Sequence, residues 1–436
     1  MQVSNFGLKQ FCSLPGRARH PGVAHLAAAV IMLAGNFTAV THAAEFRPIA
    51  LSCHITNVQP MTGLVLWDDH EKAATDAIQL EYSYLRYNDV VKARGVYDWS
   101  KVERKLAAIA QRGHQAIFRF YDTYPGEPTT VPDYIKALAG YHEVTAKSER
   151  KNTGFPDWSH PEYQRFVLEF FEQFAGKFDH DPRLAFLEAG FGLWAEYHIY
   201  DGPEQLGQTF PSKVFQAQFL RRMAECFRQT PWLISVDAAE ETRTPFASDR
   251  GLLALNFGNF DDSFLCKQHA KENEPNWNFF GRDRWQHAPA GGELSYYNGN
   301  DQRSALAAHG PNGVAFEQAA RAFHITFMVG SDQPKHAGLE RVRSAGLACG
   351  YKFQVARFES GAAGSRVSIE NTGIAPIYYD AFPAVNGVRA KASLKGLLPG
   401  QRKDFAIEAG SAAPTLAIEC DRLLPGQRIG LEADLK

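Results

Sequence analysis

From about residue 61 to residue 330, short apolar runs alternate with stretches of helical period. The runs fall at 62–67, 80–86, 115–121, 184–189, 232–237, 252–257, 292–296 and 325–329. Runs this short and this continuously apolar suit strands buried on both faces of a parallel sheet. Eight of them in β–α order predict a (β/α)8 TIM barrel. Ser100 with Glu103 reads as a capping box, Val102, Leu106, Ile109 and Ala110 form the apolar stripe behind it, and Gly113 is the stop signal. Ser159 with Glu162 reads as a second box, followed by Tyr163, Phe166, Val167, Phe170 and Phe174 at helical spacing. Residues 214–228 predict a third helix. Residues 258–289 show little period and are rich in Asn, Asp, Trp and Gly, so they read as a long loop on the catalytic face.

Near residue 340 the period changes. Segments 351–358, 366–371, 376–382, 388–394, 401–407 and 415–419 read as strands parted by Gly, Pro and Asn, which predicts an all-β sandwich over 341–436. Leu-Leu-Pro-Gly-Gln-Arg occurs twice here, at 397–402 and 423–428. Proline then glycine is a type II turn signal, so the repeat reads as a repeated turn. At the other end, Lys9, Arg17 and Arg19 precede an apolar run from Val23 to Gly35, and Thr41-His42-Ala43 offers small residues for cleavage. Residues 1–43 therefore read as an export signal, leaving 44–340 for the barrel, in a protein of the bacterial periplasm or exterior. No later segment has the ~20 continuous apolar residues of a membrane span.

Composition excludes more than it selects. Net charge is −2, with no basic stripe to hold nucleic acid. Gly190-Phe191-Gly192-Leu193-Trp194-Ala195 fits a dinucleotide fingerprint, but Asp201-Gly202-Pro203 follows where a helix must open, so no cofactor is expected. Glu196-Tyr197-His198 lacks the second ligand pair of a metal site, and no G-x-S-x-G marks a serine hydrolase. Past the leader the cysteines number five, widely spaced, which is no disulfide framework. All seven tryptophans lie between Trp67 and Trp285, as a ring-lined cleft would have them.

The candidate chemistry sits at two glutamates. Glu196 follows the fourth apolar run and Glu293 lies in the seventh, each amid glycines and aromatics. In a barrel, strand ends on the C-terminal face point into the site. Two carboxyls across a sugar ring are the minimum for glycosidic cleavage. Arg86 and Arg119 end strands two and three and would hold a neighbouring carboxylate ionised. Tyr121, Asp237, Asn256, Tyr296 and His324 lie at or near strand ends as sugar contacts. Trp194, Trp67 and Trp277 are the candidate stacking rings, with a core role the default for the first two. Glu188, eight positions before Glu196, is a rival expected deeper in the barrel.

The chain resembles the bacterial proteins grouped as domain of unknown function 4832, which combine a glycosidase-like barrel with a C-terminal β-sandwich. The matching residues are Tyr84-Leu85-Arg86-Tyr87, 95–100, Phe118-Arg119-Phe120-Tyr121, Trp194-Ala195-Glu196-Tyr197-His198, Gly291-Gly292-Glu293 and 371–376. The resemblance implies the retaining glycosidases built on this barrel, with Glu196 as acid/base and Glu293 as nucleophile. In that clan the acid/base usually follows an asparagine that binds the sugar 2-hydroxyl. Here Ala195 precedes it, so Trp194 or His198 would supply the polar contact. The expectation is a glycoside hydrolase acting on a carbohydrate. The alternative is a non-catalytic glycan-binding protein on a degenerate barrel, with one glutamate locked in an ion pair. A metal-assisted esterase is a third reading. The sugar, its linkage and the oligomeric state are left open.

Overall fold

The computed structural model describes residues 46–436. The segment read as an export leader lies outside them. Eight parallel strands close into a barrel: Gly63–Trp67, Leu80–Arg86, Gln115–Tyr121, Leu184–Glu188, Trp232–Ser235, Gly258–Phe264, Ala290–Leu294 and Phe327–Val329. Pairing of the third with the fourth strand, Phe118 beside Leu187 and Arg119 beside Glu188, completes the ring. Most strand residues are buried, because helices cover the outer face and side chains fill the interior.

The sixth strand differs from the expectation. Residues 252–257 hold a 3₁₀ turn, Arg250–Ala254, and the strand lies beyond it at Gly258–Phe264. A Cβ on Gly258 would sit 2.2 Å from the Pro289 carbonyl oxygen, so glycine is what admits the strand there. Asn259, Asp261, Asp262 and Ser263 interrupt its apolar residues Phe260 and Phe264, which hides it from a search for apolar runs. The loop expected at 258–289 thus contains this strand and two short helices, His269–Glu272 and Glu274–Phe280.

The expected capping boxes also give way to other caps. The helix Ser100–Gln111 is preceded by Asp98, whose carboxylate accepts from the Ser100 amide at 3.0 Å. The helix Pro161–Phe178 is capped by the His160 ring, which accepts from the Glu162 amide at 3.3 Å, while the Ser159 hydroxyl turns to Asp157. The phenylalanines of that second helix still bury as spaced, packing Phe170 against Phe120 and Tyr87. The third helix spans Lys213–Cys226.

The last barrel helix, Leu339–Leu347, crosses the expected boundary at 340. Beyond it a six-stranded and a three-stranded sheet face each other across a shared apolar core that includes Val355, Ile369, Phe405 and Ile418. The larger sheet also takes in Arg47–Pro48 and Leu51–Cys53, so the residues ahead of the barrel pair with its C-terminal partner rather than with the barrel. Both Pro-Gly repeats form turns: Gly400 and Gly426 have φ of 77° and 89°, and the Gln401 and Gln427 amides each donate 3.0 Å back to a leucine carbonyl. The sandwich closes the lower end of the barrel. The Tyr351 hydroxyl donates to the Pro60 carbonyl at 3.1 Å, Tyr379 donates to Ala185, and Arg422 donates to Asp179 and Leu184 carbonyls. The described cysteines are free. Among the described residues no helix is long and apolar enough to cross a membrane.

Candidate active site

The segment after the fourth strand is wound tightly enough to fix Glu196. Trp194, Ala195 and Tyr197 have φ of 53°, 64° and 62°, a left-handed region that non-glycine residues seldom occupy. Five backbone bonds hold them there, including Tyr197 to Phe191 at 2.8 Å and Trp194 to Thr123 at 3.0 Å. Strain of this kind persists only where the surroundings over-determine it, and it concentrates at functional sites. Gly190 and Gly192 make the winding possible: a Cβ on either would lie 2.0 Å from the Ala195 oxygen or 2.2 Å from the His198 oxygen. The glycines that mimic a nucleotide fingerprint are therefore there for chain-on-chain packing.

Glu293 is set by its own glycines. A Cβ on Gly291 would strike the Phe327 ring at 2.5 Å, and one on Gly292 would meet the Asp261 oxygen at 2.5 Å. The seventh strand can therefore lie close to its neighbours, with Glu293 beside Val329. Glu196 and Glu293 line one cavity of about 560 Å³ at the C-terminal mouth of the barrel.

Beneath the cavity floor lies Arg119, 1% exposed. Its guanidinium donates to Glu196 Oε1 at 3.2 Å, to Asp262 Oδ1 at 2.7 Å and to the Tyr84 hydroxyl at 3.2 Å, and it pairs with Glu188. Glu188 is fully buried and also accepts from the Tyr82 hydroxyl at 2.8 Å. On the other side of Glu196, His198 Nε2 faces Glu196 Oε2 at 3.5 Å, while His198 Nδ1 meets Asp237 Oδ2 at 2.7 Å. Glu293 makes no hydrogen bond or ion pair among the described residues, although it is only partly exposed.

One guanidinium does not neutralise so many acids, and burial makes the excess costly. Glu196 is held well above the usual carboxylate range, first by burial and then by Asp262, with Arg119 opposing. Burial and Asp262 push Glu293 up to about 8, again against Arg119. Asp262, closer to the guanidinium than Glu196 is, is raised only to about 6. Glu293 was expected to be held ionised by Arg86 or Arg119. Instead Arg119 is committed to Glu196, Asp262 and Glu188, and Arg86 turns away to the Tyr121 hydroxyl at 2.8 Å and to Glu127.

Of the residues singled out in the sequence, Trp194, His198, Asp237 and Tyr296 line the cavity with the two glutamates. Tyr121 does not: its ring packs between Tyr84 and Tyr124, and its hydroxyl serves Arg86. Trp277 is core rather than a stacking ring, 4% exposed, with its indole N–H given to Asp261 at 2.7 Å. Trp194 and Trp67, for which a core role was the default, are the tryptophans of the wall. Asn256 precedes the true sixth strand and lies at the opposite end of the barrel beside Tyr378. His324 is there too, capping a helix with φ of 54°, stacked 3.6 Å from Trp285 and bonded to the Ile374 carbonyl. Both were misplaced because strand starts were taken for strand ends.

The sequence reading missed Asp262, along with the wall residues Tyr84, Tyr124, Glu149, Tyr200, Ser263 and Tyr297. Asp262 had a legible signal: two aspartates between Phe260 and Phe264, as at a strand end. As neighbours on a strand the two aspartates point to opposite faces, Asp261 to Trp277 and Asn273, Asp262 to Arg119. Glu149 arrives on the hairpin Val144–Ser148 and Lys151–Phe155, and the Tyr200 hydroxyl, from the segment after the fourth strand, donates to it at 2.6 Å. Among the described residues no group of His, Cys, Asp or Glu is arranged to hold a metal.

No protein-family model matches the chain, and no curated protein matches it. Solved structures do. Endo-glycoceramidase II from Rhodococcus sp., as its lactosyl-enzyme intermediate, aligns over 85% of this chain and 98% of its own with a TM-score of 0.41 and 9% identity. A family 39 glycoside hydrolase from Bacteroides cellulosilyticus aligns over 80% and 81% at 0.42 and 11%. An alpha-galactosidase from Lactobacillus brevis aligns over 81% and 55% at 0.37 and 10%. Likeness this distant says nothing of what this chain acts on.

Proposed function

We propose that this is an exported glycoside hydrolase of the retaining type, akin to the glycosidase-like barrels of domain of unknown function 4832. The observation that carries the reading is the opening of Glu196 and Glu293 into one aromatic-walled cavity. Glu196, whose carboxyl burial and Asp262 hold above the usual range, would give its proton to the glycosidic oxygen. Glu293, in its ionised form and with no hydrogen-bond or ion-pair partner among the described residues, would attack the anomeric carbon as the C–O bond breaks. Water, giving its proton to Glu196, would then displace Glu293 and release the sugar. The ring faces of Trp67 and Trp194 suit a pyranose.

Glu196→Gln should lower turnover of a sugar-leaving-group substrate by roughly 10²–10⁴-fold, the range for a positioned proton donor. Aryl glycosides with acidic leaving groups should lose far less in that variant. Glu293→Gln should be inactive on both, with its fold intact by circular dichroism. Proton NMR of the first-formed anomer decides retention; an inverted product would make Glu293 a base acting through water. The ion pair of Glu196 with Arg119 favours one rival, a glycan-binding protein without turnover. Normal rates in Glu293→Gln, or binding with no turnover of any glycoside panel, would leave that rival standing.

A further inference from the structure

A run of aromatic rings arcs around the cavity, from the end of the first strand to the segment after the fourth. Trp67 lies 5.1 Å from Tyr84 between ring centres, Tyr84 6.3 Å from Tyr124, Tyr124 6.0 Å from Trp194, and Trp194 6.2 Å from Tyr200. All five line the cavity. The last of them stands in water. Among the described residues the large exposed aromatics are Tyr200, Tyr296 and Tyr297, at 59%, 50% and 70%, and all three are on this one rim. A lone exposed ring needs no explanation; three gathered at one cavity mark a binding surface. Tyr200 is also held in place. Its ring lies within 19° of parallel to Trp194 and meets the His198 ring edge-on at 5.3 Å. Its hydroxyl donates to Glu149 at 2.6 Å, and the Glu149 amide donates to Asp201 at 2.5 Å, which ties the hairpin tip to the same segment. A ring fixed before binding loses little entropy when covered.

We propose that Trp194 and Tyr200 form a subsite for a second sugar on the departing-group side, so that the ligand is an oligosaccharide. This rests on the reading of Glu196 as the proton donor. A proton donor touches the oxygen that leaves with the departing group. Trp194 comes two residues before Glu196 and Tyr200 four after, and the winding of that segment brings all three to the cavity. What lies on Tyr200 is therefore the departing group. A pyranose sets its C–H face on a ring and turns its hydroxyls to the bordering Glu149 and His198. An alkyl chain there would strip water from both and give no hydrogen bond in return.

The test is calorimetric titration of Glu293→Gln, which would hold a saccharide uncut, with mono-, di- and trisaccharides of the cello, xylo, manno, malto and chito series and with octyl glucoside. In at least one series affinity should rise at least about tenfold from monosaccharide to trisaccharide. Adding Tyr200→Ala should erase most of that rise, and adding Tyr200→Phe should keep it, because the ring carries the contact. A length series that never tightens, a rise that survives Tyr200→Ala, a rise lost equally in Tyr200→Phe, or octyl glucoside binding as tightly as the trisaccharide would overturn the inference. Wild-type turnover of aryl glycosides with no gain from length would spare the hydrolase reading and end this one. A length gain lost in Tyr200→Ala, with no turnover of any saccharide by the wild type, would end the hydrolase reading and leave the second-sugar subsite.

Discussion

The carboxyl of Glu293 makes the site's cost measurable. In the unfolded chain it returns to the ordinary range, whereas in the fold it is pushed up to about 8. The native state thus binds this proton more tightly, so the associated stability is complete below the ordinary carboxylate value. It is lost as pH rises through about 8. Glu293→Gln should melt a few degrees above wild type at pH 9 and no higher at pH 4. A melting difference that does not change with pH would mean that the carboxyl carries no such penalty. The tryptophans separate by role in the same way. Trp194→Ala should raise KM with little loss of stability. Trp277→Phe, which takes the donor from the buried Asp261 Oδ2, should cost about 1–3 kcal/mol in urea unfolding and leave KM alone.

At the scale of the element, the strained segment 190–198 shows why one motif has two readings. Its glycines look like a phosphate loop because both structures need backbone to pass close to something. Here the something is the same chain, five or six residues on. Gly190→Ala should therefore displace Glu196 and lower turnover at least tenfold, while costing roughly 1–3 kcal/mol. Circular dichroism and activity on one preparation would check it, and full activity would show that Glu196 is positioned by Arg119 and His198 instead. The sixth strand makes the complementary point. An apolar search rewards Leu252 to Phe257 and passes over Gly258 to Phe264, where Asn259, Asp261, Asp262 and Ser263 interrupt the apolar residues and only Asp262 and Ser263 line the site.

For the whole molecule, the decisive contact is the sandwich against the lower barrel. Arg422 is buried and donates to the Asp179 carbonyl at 3.0 Å, the Leu184 carbonyl at 2.6 Å and the Thr230 hydroxyl at 3.1 Å. Around it Tyr379 approaches Phe186, so the cores of barrel and sandwich are continuous. Arg422→Ala leaves those buried acceptors unpaired and should cost about 2–4 kcal/mol. Urea unfolding should show it within a single transition; separate transitions for the two halves would mean that the docking is weak.

The amino-acid sequence alone determined the barrel, the sandwich, the two turn repeats and the placement of both glutamates on the C-terminal face. Each follows from local period, from proline and glycine chemistry, or from the rule that strand ends face the site. Tertiary structure decided what no local pattern encodes: which arginine serves which acid, which tryptophans face solvent, and where a polar strand begins. Those depend on residues far apart in the chain meeting at one point. Arg119, Glu196 and Asp262 meet only because eight strands close a ring, and how readily each acid ionises is set by burial first and by its neighbours second.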